Sequence, residues 1–166
     1  MSKVLMIDQE KCVGCRACAD ACSLKHTGVV NPLLSRIGVV RLEMGIVNVG
    51  IVCAQCESAP CMAICPVKAI SRDELLGRVT VDYNICIGCR MCVAICPFGC
   101  MNFDSRDKKV FKCELCDGDP ICVRFCQHGA LQYVETSEQS LMKREATAEK
   151  FSGIMHKIAL AMASVE

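Results

Sequence analysis

Cysteine occupies seventeen of the 166 positions, and sixteen of those residues fall into four groups of four. They are Cys12, Cys15, Cys18 and Cys22; Cys53, Cys56, Cys61 and Cys65; Cys86, Cys89, Cys92 and Cys96; and Cys113, Cys116, Cys122 and Cys126. Thiolates are soft anionic ligands, and a cubane iron–sulfur cluster takes four of them, one per iron. Four quartets in so short a chain point to four 4Fe–4S clusters and to electron transfer as the chemistry. The first and third quartets read C-x2-C-x2-C-x3-C. Such a compact triple wraps three corners of one cube, and the fourth thiolate of the run ligates the other cluster of a pair. Gly14 and Gly88 stand between the first two cysteines of these quartets, where the backbone must turn closely and aim amides at sulfur.

The second quartet reads C-x2-C-x4-C-x3-C and the fourth C-x2-C-x5-C-x3-C. Their inserts, Glu57-Ser58-Ala59-Pro60 and Asp117-Gly118-Asp119-Pro120-Ile121, look like variants of one loop. Cys65 and Cys96 are each followed by proline, as in the two-cluster signature, and the stretch 66–85 between the second and third quartets has the length typical of a two-cluster unit. That pairs the second and third quartets: Cys53, Cys56, Cys61 with Cys96, and Cys86, Cys89, Cys92 with Cys65. The outer quartets are left to serve each other: Cys12, Cys15, Cys18 with Cys126, and Cys113, Cys116, Cys122 with Cys22. Neither Cys22 nor Cys126 precedes a proline, so the outer pairing rests on elimination.

Zinc also uses C-x2-C pairs, but sets two of them a dozen or more residues apart, which four packed quartets do not. Cys100 lies outside the quartets and reads as a small buried hydrophobe beside a cluster. His26, His128 and His156 are isolated and read as surface or packing residues, although His128 follows Cys126 closely enough for a proton-linked effect. Lys68, in Cys65-Pro66-Val67-Lys68-Ala69-Ile70, could bring positive charge near a cluster. The methionines, Met91 and Met101 among them, read as polarizable packing. No catalytic triad, P-loop or dinucleotide fingerprint is present, so the chain reads as non-catalytic.

Composition agrees. Aromatics are only 4% with no Trp, and the 52% hydrophobic fraction is inflated by cysteine, so metal is expected to compensate for a thin core. An odd cysteine count, and no basic-plus-apolar leader before Cys12, argue against disulfides and for a cytoplasmic protein with reduced thiols. The formal charge is +1, and each 2+ cubane core with four thiolates adds about −2, so the loaded protein is acidic and nucleic acid is excluded as a partner. No run reaches the roughly 20 apolar residues of a membrane span.

The elements that must position the cysteines are short. Val4 to Ile7, Ile37 to Arg41, Ile46 to Val52, Val79 to Tyr83, Val110 to Lys112 and Leu131 to Val134 read as strands. The second and third of these form a hairpin. Gly45, Gly77 and the segment 104–107 supply turns, and a one-turn helix follows each quartet. The expected fold class is α+β: two interleaved ferredoxin-like double-4Fe–4S modules in residues 1–135, one from 1–30 with 110–135 and one from 50–100. Residues 136–166 form a helical extension. There, Thr136 and Gln139 fit a capping box, and Leu141, Ala148, Phe151, Met155, Ile158 and Met162 lie on one amphipathic stripe, with Gly153 its weak point. That stripe packs on the protein's own body or docks on another subunit.

The four quartets, their order, the two inserts, and the segments Cys65-Pro66-Val67-Lys68-Ala69-Ile70 and Cys96-Pro97-Phe98-Gly99 resemble the four-cluster electron-transfer subunits of molybdenum and tungsten oxidoreductases. Relatives occur in dimethyl sulfoxide reductase, formate dehydrogenase and hydrogenase complexes. The likeness covers about residues 3–135 and implies clusters in a chain, paired first with fourth and second with third. The compact length is similar to the small subunit of tungsten-dependent aldehyde oxidoreductases. That implies a large tungsten- or molybdenum-pterin catalytic subunit as one partner, a flavin subunit or ferredoxin as the other, and head-to-tail self-association. The other readings are a subunit of a hydrogenase, formate dehydrogenase or acyl-CoA reductase complex, a freely diffusing polyferredoxin, and a cluster-based redox sensor.

Overall fold

The computed structural model describes residues 3–41 and 48–136. The expected strand Ile46 to Val52 and the turn at Gly45 lie partly outside them, and the helix expected over 137–163 lies wholly outside. Among the described residues the chain is a small mixed α/β fold of four two-stranded antiparallel sheets and four helices. β1 (Lys3–Ile7) opens it, and α1 (Ala17–Thr27) follows Cys12 and Cys15 and carries Cys18 and Cys22, so the helix expected after the quartet runs through it. β2 (Ile37–Arg41) pairs with β3 (Asn48–Val52), Ile37 opposite Val52. After α2 (Pro60–Ala63), β4 (Ile70–Asp73) pairs with β5 (Arg78–Val81) across the Gly77 turn. After α3 (Met91–Ile95), β6 (Asn102–Asp104) pairs with β7 (Lys109–Phe111). After α4 (Ile121–Arg124), β8 (Leu131–Glu135) returns to β1, Lys3 opposite Glu135.

α1 is longer than the single turn expected from the spacing. Three alanines and Leu24 favour it, and only at Gly28 does a left-handed φ of 74° let the chain turn out, its amide donating to Leu24 O. The extra length puts Cys18 and Cys22 four residues apart on one buried face. β4 and β6 were not anticipated. Their residues Ser71, Arg72, Asp73 and Asn102 give no apolar alternation, and the turn preceding each strand sets it instead.

That turn recurs after the fourth cysteine of three quartets. Lys68 N donates to Cys65 O, Gly99 N to Cys96 O, and Gly129 N to Cys126 O. All three donors have positive φ, 53°, 60° and 62°. The next residue is always small and buried: Ala69, Cys100 and Ala130. Each turn then feeds a strand. Cys100 thus occupies a position where the other repeats have alanine.

Two cores result. One joins Leu5, Ile37, Leu115 and Leu131 with Cys18, Cys22, Cys113 and Cys122, drawing mainly on the first and fourth quartets, with Cys53 of the second also packed against it. The other joins Ile70, Val79, Met101 and Val110 with Cys92, and Cys56, Cys61, Cys65, Cys86 and Cys96 pack against it, drawing on the second and third. α1 packs on α4 and α2 on α3. Arg78 ties the cores together: its guanidinium donates to Asp73 on its own hairpin, and to Glu114 O at 3.0 Å and Asp117 Oδ1 at 2.6 Å in the fourth quartet.

Candidate metal centre

In all four quartets the residue just before the second cysteine takes the left-handed conformation: Gly14 (70°), Gln55 (52°), Gly88 (68°) and Leu115 (63°). The expected close turn at Gly14 and Gly88 is therefore general, and in the inserted quartets a side-chain-bearing residue accepts the strain. A Cβ on Gly88 would lie 2.5 Å from Lys108 O, whereas one on Gly14 would meet only the Asn48 side-chain amide. In the compact quartets Arg16 (65°) and Arg90 (64°) repeat the conformation and start α1 and α3. In the inserted quartets proline does this work: Pro60 is the first residue of α2, and Pro120 caps α4.

All seventeen cysteines are free thiols. Cys12, Cys15 and Cys18 line one recess, and the fourth thiol there is Cys126, from the last quartet. Cys53, Cys56 and Cys61 line another, together with Cys96 from the third quartet and with Cys100. The other two expected sets are less sharply separated: Cys89 is exposed and packs in neither core, and Cys92 feels the charge of Cys61 as well as of Cys89 and Cys86. The Cys122 thiol feels the charges of Cys113, Cys22 and Cys116. Cys65 packs on the same core as Cys86 and Cys92. Among the described residues no three His, Cys, Asp or Glu side chains close around a single metal ion. In each recess four quartet thiols line one void, and soft thiolates in fours suit an iron–sulfur cluster.

Backbone amides point at these sulfurs. Ala69 N donates to Cys65 Sγ at 3.2 Å and Cys100 N to Cys96 Sγ at 3.3 Å, both products of the shared turn. Cys22 sits inside α1 and lacks that turn, so Arg36 N reaches its sulfur from the strand side at 3.3 Å. Leu115 N serves Cys113 Sγ at 3.5 Å. Burial, then the charge of neighbouring thiols, pushes Cys18 and Cys92 up to about 11 and Cys113 up to about 12, and raises Cys122 further. Thiols crowded in this way ionise only against a strong local positive charge, which an iron core supplies. The same causes push Cys100 up to about 12; its sulfur donates to Phe98 O and also lines the recess of Cys53, Cys56 and Cys61.

Several side chains do what spacing did not reveal. His26 is not isolated: its Nε2 lies 3.5 Å from Cys116 Sγ and its Nδ1 3.5 Å from Glu114, which also pairs with Arg36. Burial and the Arg36 charge push His26 down to about 4. Lys68 is exposed, and its turn conformation is its visible contribution. His128 is exposed at the rim of the first recess; His156 lies outside the described residues. Lys112, unremarked in the sequence, is buried beside Gln55 between the two cores. Strand alternation could have found it, since it shares the inward face with Val110.

The profile of the 4Fe–4S dicluster domain family matches residues 46–136, and that of a 4Fe–4S binding domain matches residues 3–24. The polyferredoxin-like subunit of an aliphatic sulfonate oxidoreductase from Pyrococcus furiosus is 42% identical over 78% of this chain and 76% of its own. The electron transport protein HydN of Escherichia coli is 34% identical over 91% of this chain and all of its own (100%). Among solved structures, the active site complex BamBC of benzoyl coenzyme A reductase with benzoyl-CoA aligns at a TM-score of 0.49 and 25% identity, over 94% of this chain and 96% of that one. Among the described residues no helix is long and apolar enough to cross a membrane.

Proposed function

This chain belongs to the polyferredoxin-like family of 4Fe–4S electron-transfer subunits of oxidoreductase complexes, and from that premise we propose that it is a four-cluster wire. The ligand sets are Cys12, Cys15, Cys18 and Cys126; Cys113, Cys116, Cys122 and Cys22; Cys53, Cys56, Cys61 and Cys96; and Cys86, Cys89, Cys92 and Cys65. The observation that carries the proposal is the recess in which Cys126, from the far end of the described chain, lines the same void as Cys12, Cys15 and Cys18, the four thiols that one set requires. Bound clusters supply one-electron redox chemistry. The protein holds them at fixed spacing, keeps water from the inner thiols, and directs amides at sulfur.

The ends of the wire are argued from exposure. Cys15 and Cys89 are the two exposed cysteines, one in each compact quartet. Val13 (49% exposed) and Ile87 (65%) stand beside them at equivalent positions, apolar contacts for a docking protein next to the terminal clusters. We propose a large tungsten- or molybdenum-pterin catalytic subunit at one end and a flavin subunit or ferredoxin at the other. Aldehydes are the proposed substrate class of the catalytic partner, and the name of the Pyrococcus relative adds aliphatic sulfonates. Native mass spectrometry of the complex purified anaerobically from its source tests this. The expected species contains this chain with a pterin-bearing large subunit; a lone chain whose partner binding depends on oxygen supports the sensor instead.

A further inference from the structure

Lys112 is the one charged side chain fully buried among the described residues, 3% exposed. Its ammonium donates to Cys113 O at 2.7 Å, to Gln55 Oε1 at 3.3 Å and to Val79 O. All three acceptors are neutral, and no carboxylate among the described residues forms an ion pair with it. A buried ammonium is costly unless it is hydrogen-bonded or paired; three oxygens accept from this one, and the thiolates of a set beside it would supply the opposite charge. Lys112 lines the recess that holds Cys53, Cys56, Cys61 and Cys96, and it directly precedes Cys113. Gln55, which fixes it, sits between Cys53 and Cys56, and its Nε2 donates to Cys113 O at 2.9 Å. Lys112 is thus held where the second and fourth quartets meet.

We propose that Lys112 is a potential-setting residue: its fixed charge raises the midpoints of the two inner clusters of the wire, most of all the one at Cys53, Cys56, Cys61 and Cys96. This rests on the four-cluster reading above. Each electron that passes adds one negative charge at the receiving thiolate set and removes one from the donating set. A cation beside one set favours the electron there, because net local charge is a main determinant of cluster potential. Lys112 touches no substrate; it acts through the groups it sits between.

EPR-monitored potentiometry of the full-length loaded protein tests the proposal, with iron and sulfide counted first. A wild-type count well short of about 16 of each refutes the four-cluster reading itself. With loading complete, Lys112→Met lowers one or two of the four midpoints and leaves the others in place, and Lys112→Arg restores them. Unchanged midpoints in loaded Lys112→Met show a structural role only and overturn the proposal. If Lys112→Met fails to load, Lys112→Gln takes its place: a neutral side chain that still donates hydrogen bonds lowers the same midpoints. Unchanged midpoints in loaded Lys112→Gln overturn the proposal.

Discussion

In the core shared by the first and fourth quartets, Cys18, Cys22, Cys113, Cys116 and Cys122 are buried, and the sheet beneath them pairs the first described strand with the last. In the core shared by the second and third, only Cys92 of the quartet cysteines is buried, and the sheets are local hairpins. The central core therefore forms from short-range contacts, with proline and a positive-φ turn after both fourth cysteines. The terminal core must bring the two ends of the described chain together and replaces one turn by the length of α1. Similar thiol chemistry is held locally in one core and by chain closure in the other.

The sharpest way to break this comparison is to ask which thiols share a cluster. Removing one ligand releases about 4 of about 16 irons if its cluster is lost. Cys126→Ser combined with Cys15→Ser is expected to lose no more than either alone, because both serve one site. Cys126→Ser combined with Cys116→Ser is expected to lose about 8, two whole cubanes. The reverse pattern in an iron count means that each quartet closes on itself.

Packing gives the next largest effect. Leu115 is completely buried in the terminal core, and Leu115→Ala should cost about 2–5 kcal/mol. Ile70→Val in the central core should cost about 0.5–1.5 kcal/mol. Thermal melts of the loaded proteins check both, and a loss under about 1 kcal/mol for Leu115→Ala contradicts its place in a close-packed terminal core.

The compact quartets differ more subtly. Alanine at Gly14 or Gly88 meets the same left-handed strain, about 1–3 kcal/mol. At Gly88 the Cβ also overlaps a backbone carbonyl, while at Gly14 a side-chain amide can swing aside. Gly88→Ala should therefore melt lower than Gly14→Ala; the opposite order shows that Asn48 is held rigidly. The smallest effect belongs to Cys100→Ala, which should keep its full iron and change stability by less than about 1.5 kcal/mol. Loss of a cluster there makes Cys100 a ligand.

The central core was more legible in the sequence because its signals are local: Pro66 and Pro97 behind their cysteines, and the run Val79 to Val81 between turn residues. The strand pairing of Val4 to Ile7 with Leu131 to Val134 was not, since each run looks complete alone and only tertiary contact joins them. β4 and β6 were missed because polar residues fill them and the preceding turn dictates their course. The cysteines themselves were all visible. Side chains that act across the chain were not: His26 reaches Cys116, and Lys112 reaches Gln55, through contacts that no spacing encodes.

The central claim is that sixteen thiols hold four cubanes. Iron, acid-labile sulfide and zinc measured on the anaerobically purified chain test it directly. The expected result is about 16 irons and about 16 sulfides per chain with no stoichiometric zinc. Tightly bound zinc without sulfide, or about half that iron with thiols left free to alkylate, contradicts it.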